Sequence, residues 1–463
     1  MSLNEMLAQA EGKTLEFKRD LSSPDKVIRT VVAFANGAGG TLLLGVEDGS
    51  RRVKGVANPT KTEEQLASMI WDRIEPQLAP ELQIIPWRKT YVLAVRVFPS
   101  QQRPYYIKAQ GFPGGVYVRV GSTNRVADPA QVDELRRVVQ GRSFDEEPLP
   151  GLKTEALDFR AAAECFAKVR RLRKSELRSL QLVTLHQGHE VPTVGGMLLF
   201  GRNRLKHFPD AFIRAGSFAG RDKQTILDTH DITGQPVQAI EDALQFVRRN
   251  TRRALRVEQT RSTEAWDFPL LALREAIINA VVHADYGQRG TPLRVAIFDD
   301  RIEVDNPGGL PPGLTIEDIR QGVSKLRNRV LGRVFHELHL IEQWGSGIQR
   351  MTAACREAGL PEPQFMELGS GFRVTFLRER QAVPGMDDLN SQILTLLQDQ
   401  SEMSPSAIAA HIGRTTRATR DRLAKLAQLG LIVAVASGPR DPRKVFRLAR
   451  AAKNAVITLR RYA

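Results

Sequence analysis

Two groups of residues have types and spacings that can do chemistry. In LREAIINAVVHADY (273–286), Glu275, Asn279 and His283 recur at i, i+4 and i+8, which aligns them along one side of a helix. Ile277, Ile278, Val281 and Val282 supply a buried side. Polar groups bordered by core residues are costly unless they face a cleft or a ligand. A glutamate so placed can polarise water, and an asparagine carbonyl can coordinate Mg²⁺ held by phosphates. Downstream, Gly345-Ser346-Gly347 precedes another predicted helix, where exposed backbone N–H groups can cradle a phosphate. The second group is acidic. Glu11 and Glu16 bracket the start of a predicted strand, and Asp48 ends the strand that follows a Gly-rich turn. If those strands are neighbours, three carboxylates converge, and clustered oxygens suit Mg²⁺ or Mn²⁺. Such an ion can orient a phosphodiester and activate water for its cleavage. Lys18, two residues beyond Glu16, projects on the same side and can hold phosphate charge. A surface pair of Glu16 with Lys18, with Glu11 and Asp48 capping turns, fits the same spacing.

The elements that must position these residues are legible in part. TLEFKR (14–19) reads as a strand, Asp25–Asn36 as a helix, and Gly37-Ala-Gly-Gly turns the chain into the apolar strand TLLLGVED. Strands follow at Tyr91–Val97 and Val116–Val120, then a helix at Pro129–Gln140. FDEEPLPG (144–151), with three acids and two prolines, reads as a linker. Residues 152–260 form a mixed connecting region. A basic run, Lys168 to Lys174, is predicted on a helix, and Gly195–Phe200 reads as an apolar strand. Residues 261–380 alternate helix, strand, Gly-rich loop and helix, an α/β layer. From 385 to 463 a helix, Ser404-Pro405 at a helix start, a longer helix at Thr415–Leu429 and a hairpin pattern give a winged helix-turn-helix. The whole is an α+β multidomain chain.

Composition narrows the class. The 463 residues carry 67 Lys and Arg against 52 Asp and Glu, a net charge of +15, which points to a polyanionic partner. No apolar run approaches the roughly 18 residues of a spanning helix, and MSLNEMLAQAEGK lacks a secretory apolar core. The expectation is therefore a cytoplasmic protein with no membrane partner. Two cysteines exclude a disulfide framework and a Cys-rich zinc site. Gly12-Lys13-Thr14 imitates the end of a P-loop, but Leu7 stands where its first glycine belongs.

Three motifs in order, EGKTLEFKRD, VVAFANGAGGTLLLGVEDGS and PYYIKAQGFPGGVYVRVGSTNRVAD, resemble the AlbA-type domain of the Schlafen family over roughly residues 9–140, giving a first domain of 1–143. The resemblance implies that Glu11, Glu16 and Asp48 occupy the positions of a metal-dependent ribonuclease site, with Lys18 beside them. It also implies nucleic-acid binding, for which Tyr117 (stacking) and Arg119 (backbone) are the candidate contacts. Ordinary sheet packing is the alternative for Tyr117, and solvent exposure for Arg119. Residues 265–380 resemble the GHKL (Bergerat) ATPase fold, an α/β sandwich. That resemblance implies ATP as ligand, Glu275 as general base, Asn279 as Mg²⁺ holder, and Asp305 as the adenine-reading carboxylate. Gly345, Ser346 and Gly347 would form the phosphate loop. The usual DxGxG reads Asp305-Asn306-Pro307-Gly308-Gly309 here, and proline in place of the first glycine removes a backbone N–H. ATP binding is expected and hydrolysis is not.

In the C-terminal domain, Arg414, Arg417, Arg420, Arg422 and Lys425 line the predicted recognition helix, with Arg443 and Lys444 on the wing. A winged helix used only for protein contact or dimerisation is the alternative there. Two functions fit the whole. One is a metal-dependent endoribonuclease, tRNA favoured by the resemblance, controlled by nucleotide in antiviral or stress response. The other is an ATP-responsive DNA-binding regulator. The sequence does not decide between an RNA and a DNA target, and both functions are compatible with a homo-oligomer.

Overall fold

Glu16 lies within the first strand, β1 (Leu15–Lys18), which pairs in parallel with β2 (Gly40–Leu44), Glu16 facing Leu42 in register. The crossover between them is α1 (Pro24–Asn36), whose Val27, Val31 and Phe34 pack with Leu42, Leu44 and Val95 on one face of the sheet. Leu15, Phe17 and Leu43 face the other way, against Leu3 and Met6 of the N-terminal helix. The two-residue alternation of a strand thus puts Glu16 and Lys18 on the α1 side. Gly39 makes the turn into β2: its φ is +79°, and a Cβ there would sit 2.5 Å from the Val97 carbonyl. β3 (Glu81–Trp87) and β4 (Thr90–Val97) complete a sheet of order β1-β2-β4-β3. A hairpin of β5 (Tyr117–Val120) and β6 (Thr123–Val126) packs on α1, and α2 (Pro129–Val139) follows behind an Asp128–Gln131 capping box.

The second sheet is six-stranded, built from β7 (Ile213–Ala219), β8 (Thr225–Ile232), β9 (Leu293–Ile297), β10 (Arg301–Pro307), β11 (Gln364–Leu368) and β12 (Gly371–Leu377), in the order β8-β7-β9-β10-β12-β11. α3 (Pro236–Asn250) packs on β7 and β8, and α4 (Leu270–His283) on β10. α5 (Arg329–Glu337) and α6 (Gly347–Glu357) complete this module. The boundary expected at residue 261 therefore moves: β7 and β8 are strands of the same sheet, and their alternation is blurred because β8 lies at its edge, largely exposed.

The computed structural model describes residues 2–100, 102–251, 253–258, 261–266, 268–342, 345–378, 388–400, 402–428, 431–435 and 445–449. Both modules above belong to one compact unit, residues 1–355 and 362–376, and the remainder forms a second. In the second unit, α7 (Asp388–Asp399), α8 (Pro405–His411), α9 (Thr416–Gln428), β13 (Ile432–Val435) and β14 (Val445–Leu448) enclose a core that includes Ile393, Leu397, Ile408, Leu423, Leu426 and Phe446. Ser404 caps α8 and Pro405 opens it, as its sequence requires. Order and composition are those of a winged helix.

Three local expectations are corrected. Gly195–Phe200 is helical, within Val194–Phe200, because the Thr193 hydroxyl caps the Gly196 N–H and starts a helix in a short apolar run that periodicity cannot assign. The basic run is not an α-helix: the helix before it stops at Phe166, a single 3-10 turn begins only at Lys174, and Arg170 pairs with Glu176 and Glu337. FDEEPLPG is no free linker. Asp145 is fully buried and accepts the backbone N–H groups of Arg329 and Leu331, capping α5. Burial pushes its carboxyl up to about 6, against the Ser143 hydroxyl bond that lowers it.

Candidate functional site

The three acids of the N-terminal module do gather. The Glu11 carboxylate accepts the Phe17 N–H at 2.7 Å and is hydrogen-bonded to Asp48. Burial pushes Glu11 up to about 7, with the Asp48 bond and the charges of Glu16 and Asp48 adding to the rise and the Phe17 N–H opposing it. Glu16, 6% exposed, is gripped on one oxygen by Lys18 and on the other by Arg119. Lys18 therefore does share the side of Glu16. Its ammonium neutralises that carboxylate directly.

Divalent-cation chemistry needs free carboxylate oxygens converging on one point. Here both oxygens of Glu16 carry cations, and Glu11 spends its oxygens on Phe17 and Asp48. Among the described residues no group of three or more His, Cys, Asp or Glu is disposed to hold a metal ion. As arranged, the trio does not fit Mg²⁺ or Mn²⁺.

Two expected nucleic-acid contacts are corrected by burial. Tyr117 is 8% exposed, packs in the α1 core, and donates its hydroxyl to Gln110 at 2.9 Å. Arg119 is 7% exposed, donates to the Gly12 carbonyl and to Asn124 at 2.9 Å each, and binds Glu16. Neither presents a face to a base or phosphate. Both positions alternate inward along β5, so the YVRVG motif is a structural one.

In the second module α4 brings Glu275 and Asn279 to a cavity, with Asn306 on β10, Gly309 just beyond it, and Gly345 and Gly347 at the start of α6. Phe365 and Phe372, stacked at 6.4 Å, add an aromatic wall. α4 ends without a glycine cap, and its last carbonyls are met from elsewhere. Tyr286 donates to Val281, Arg327 to His283, and the Asn328 amide to Val282 and Ala284. His283 lines the same cavity, and burial pushes its imidazole down to about 4, the Arg327 charge adding to it, so it is neutral near pH 7.

Glu275 is 7% exposed and bound: its Oε2 lies 2.9 Å from Arg350 on α6, and its Oε1 is 3.4 Å from the Asn279 amide nitrogen. No described donor engages the Asn279 carbonyl, so it is available to a cation held by phosphates. Gly345 has φ +66°, and a side chain there would strike the Gly322 carbonyl; one at Gly347 would strike Glu275. Gly345 thus admits no side chain against the Gly322 backbone, and a side chain at Gly347 would push the Glu275 carboxylate aside. Ser346 turns its hydroxyl to Glu342 at 2.9 Å.

Asp305 is placed otherwise than expected. It lies on the opposite face of β10, in a two-pronged pair with Arg373 at 2.6 and 2.7 Å. Val304 and Asn306 face the cavity in its stead. Asn306 is 8% exposed and its amide nitrogen donates to the Pro307 carbonyl at 3.1 Å. Alternation from Ile302 signals this register, which the motif comparison overrode. Gly308, at φ +90°, is packed against Arg327 and Asp285 and donates its N–H to the Ser370 carbonyl at 2.7 Å; Gly309 lines the cavity. Arg350 was not singled out by spacing, although it lies three residues into the helix that Gly347 opens.

The cavity, about 130 Å³, is well below the ~300 Å³ at which small-molecule sites begin, and the Gly308–Leu314 loop forms one of its walls. That loop is tethered. The Leu310 N–H donates at 2.9 Å to Glu367 on β11, which also takes the Lys13 ammonium at 2.7 and 2.8 Å. Lys13 lies between Gly12, whose carbonyl holds Arg119, and the strand that bears Glu16.

In the second unit α9 separates its faces cleanly. Thr419, Leu423 and Leu426 are buried, whereas Arg417, Arg420 and Lys425, with Arg414 before the helix, are exposed on the far side. Arg422 is half-buried and donates to Asn390 on α7 at 3.1 Å, which makes it a tie within the fold. Arg443 and Lys444 lie outside the described residues.

Comparisons with known proteins agree with this layout. Three family models match: "Schlafen, AlbA_2" over residues 11–128, "Putative ATP-dependent DNA helicase recG C-terminal" over 290–376, and "Winged helix-turn-helix DNA-binding" over 386–433. The second match starts after α4, so the placement of Glu275 and Asn279 rests on geometry. Among solved structures, the DIP2311 protein from Corynebacterium diphtheriae is 23% identical over 100% of this chain and 98% of its own, with a TM-score of 0.44. The N-terminal domain of the "Putative ATP-dependent DNA Helicase RecG-related Protein" from Nitrosomonas europaea is 34% identical over 27% of this chain and 90% of its own, with a TM-score of 0.23. No curated protein matches the chain. Among the described residues no helix is long and apolar enough to cross a membrane. The domain types are those of a nucleic-acid-binding, nucleotide-associated protein.

Proposed function

We propose that this chain, which carries a Schlafen AlbA_2 domain, a RecG-type ATPase-like domain and a winged helix-turn-helix in that order, is a nucleic-acid-binding regulator that senses ATP by binding it without turnover. The Glu275–Arg350 ion pair carries the reading. A GHKL-type hydrolase needs that carboxylate free to take a proton from water, and here an arginine holds it. ATP·Mg²⁺ would be held by the Asn279 carbonyl and the Gly345–Gly347 loop, with the base against Asn306 and the phenylalanine wall. Mg²⁺, when bound, supplies charge to neutralise the phosphates. Arg350, Glu275 and the loop glycines fix the cradle's shape.

Occupancy acts on the AlbA-type module through the loop. Seating a nucleotide displaces Gly308–Leu314, which pulls on Glu367 and through it on Lys13. The winged helix contributes the exposed face of Arg414, Arg417, Arg420 and Lys425, suited to a duplex major groove.

A second reading, endoribonuclease activity with tRNA favoured by the resemblance, draws on the gathering of Glu11, Glu16 and Asp48. It requires Lys18 and Arg119 to release Glu16. One incubation separates the two. Labelled tRNA, ribosomal RNA and duplex DNA are mixed with the full chain, with and without Mg²⁺, Mn²⁺ and ATP, beside a Glu16→Ala/Asp48→Ala variant. The regulator reading expects salt-sensitive binding and intact substrate in every lane. Cleavage that needs metal and is lost in the variant establishes the nuclease.

A further inference from the structure

A dense group of positive charge in the first unit lies outside the nucleotide cavity. A separate cavity of about 450 Å³ opens between the AlbA-type and ATPase-like modules, a volume within the usual small-molecule range. Arg103, Arg137 and Arg142 come to it from the first module, and Lys325, Arg327 and Arg329 from the loop and helix start of the second. Two carboxylates face these six cations, and both are engaged. Glu134 binds Arg327 at 2.8 and 3.1 Å, and Asp285 accepts the Gly287 N–H. Arg137 reaches Glu147 at 3.4 Å, and Arg329 lies 3.8 Å from Glu146.

Three cations are left over. Arg103 is buried and donates its Nε to the Ala35 carbonyl and its Nη2 to the Gly37 carbonyl, which leaves its Nη1. Lys325 donates only to the Pro312 carbonyl, at 3.1 Å, and Arg142 has no side-chain partner among the described residues. None of the three has a carboxylate partner among those residues. Burial holds the Lys325 ammonium below its usual range, with the Arg103 and Arg329 charges lowering it further and the Glu134 charge opposing them. Like charges held together in a half-enclosed space are costly unless an anion joins them.

A second observation concerns Asn328, which also lines this cavity and is 1% exposed. Its amide nitrogen is fixed by the Val282 and Ala284 carbonyls, so the amide orientation is set, and its buried Oδ1 has no hydrogen-bond partner. That acceptor is closed to solvent, so what the cavity offers a ligand is positive charge, and charge-assisted bonds from unpaired cations suit phosphates.

We propose that this intermodule cavity binds a small, multiply phosphorylated molecule, with Arg103, Arg142 and Lys325 on its phosphates. Pro311, Lys325 and Leu326 wall both this cavity and the nucleotide cavity, so the ligand sits against the loop that forms a wall of the nucleotide cavity. It is thereby placed to bias the response.

Calorimetric titration of the full chain with inorganic triphosphate, without divalent metal, tests the assignment. The expected result is saturable binding, weakened about 10-fold or more in Arg142→Ala/Lys325→Ala and kept within about 2-fold in Arg160→Ala/Arg221→Ala, which removes the same charge from exposed surface outside both cavities. The charge-conserving pair Arg142→Lys/Lys325→Arg retains binding, which serves if the alanine pair fails to fold. Absence of saturable binding in the wild type, equal affinity in the folded alanine pair, or an equal loss in Arg160→Ala/Arg221→Ala overturns it. A parallel titration uses a single-stranded RNA of about 12 nucleotides, a length one binding groove can span. Loss of that RNA's binding in the alanine pair, with no triphosphate binding by the wild type, also overturns it and assigns the cavity to a nucleic-acid backbone.

Discussion

Arg350, three residues into α6, holds Glu275 of α4 at 2.9 Å and Glu342 at 2.6 Å, and so ties the phosphate-loop helix to the helix bearing the expected general base. Glu275 is buried while Arg350 is about a third exposed, so removing the arginine leaves a buried carboxylate uncompensated. Arg350→Met is expected to lower unfolding free energy by roughly 2 kcal/mol, less than a fully buried pair because solvent reaches the arginine. Glu275→Gln/Arg350→Met recovers most of it. Urea denaturation reads both, and an Arg350→Met protein as stable as wild type contradicts the role.

Register on β10 makes a discriminating pair. Asn306→Ala weakens ATP binding about 10-fold, the equivalent of roughly 1.4 kcal/mol, while Asp305→Asn leaves affinity unchanged because its side chain lies on the far face with Arg373. Calorimetry decides. The reverse order restores Asp305 as the base-reading residue.

Glu11 sets a pH dependence. Its folded pKa, about 7, lies above the ordinary carboxylate value of 4.5. Between those values the native state binds more protons than the unfolded chain, so its contribution to stability is full below about pH 4.5 and falls as pH rises to 7. Glu11→Gln removes that slope. Unfolding free energies at pH 5 and 7.5 should converge in the variant relative to wild type, and an unchanged difference excludes the shared-proton arrangement with Asp48.

On α9, Arg417→Ala and Arg420→Ala should each weaken binding across all duplex sequences and reduce the slope of log affinity against log salt by about 1. Arg422→Ala should lower the melting temperature instead, because it anchors to Asn390. Anisotropy titrations at several salt concentrations distinguish the two. A salt slope unmoved by Arg417→Ala and Arg420→Ala together would leave the winged helix to protein contacts.

What the sequence made legible were features carried by short-range rules: the i, i+4 alignment of Glu275 with Asn279, the glycines before α6, the Ser404-Pro405 helix start, and the Glu16–Lys18 side sharing. What it hid depends on partners distant in the chain. Arg119 reads as an exposed strand arginine until Glu16, more than a hundred residues away, is brought against it. Asp145 reads as a linker acid until α5 arrives to be capped. The Asp305 reading failed differently, because a motif was laid over a strand whose alternation already pointed Asn306 inward.

The central claim, nucleotide sensing without turnover, is tested most directly by anisotropy titrations of labelled duplex DNA and RNA with and without ATP·Mg²⁺, following phosphate release in the same samples. The account predicts that ATP·Mg²⁺ shifts affinity by about 5-fold or more in the wild type, has no effect in Asn279→Ala, and leaves phosphate release at background. Superimposable curves with and without ATP, or a shift that appears only as phosphate is released, would contradict it.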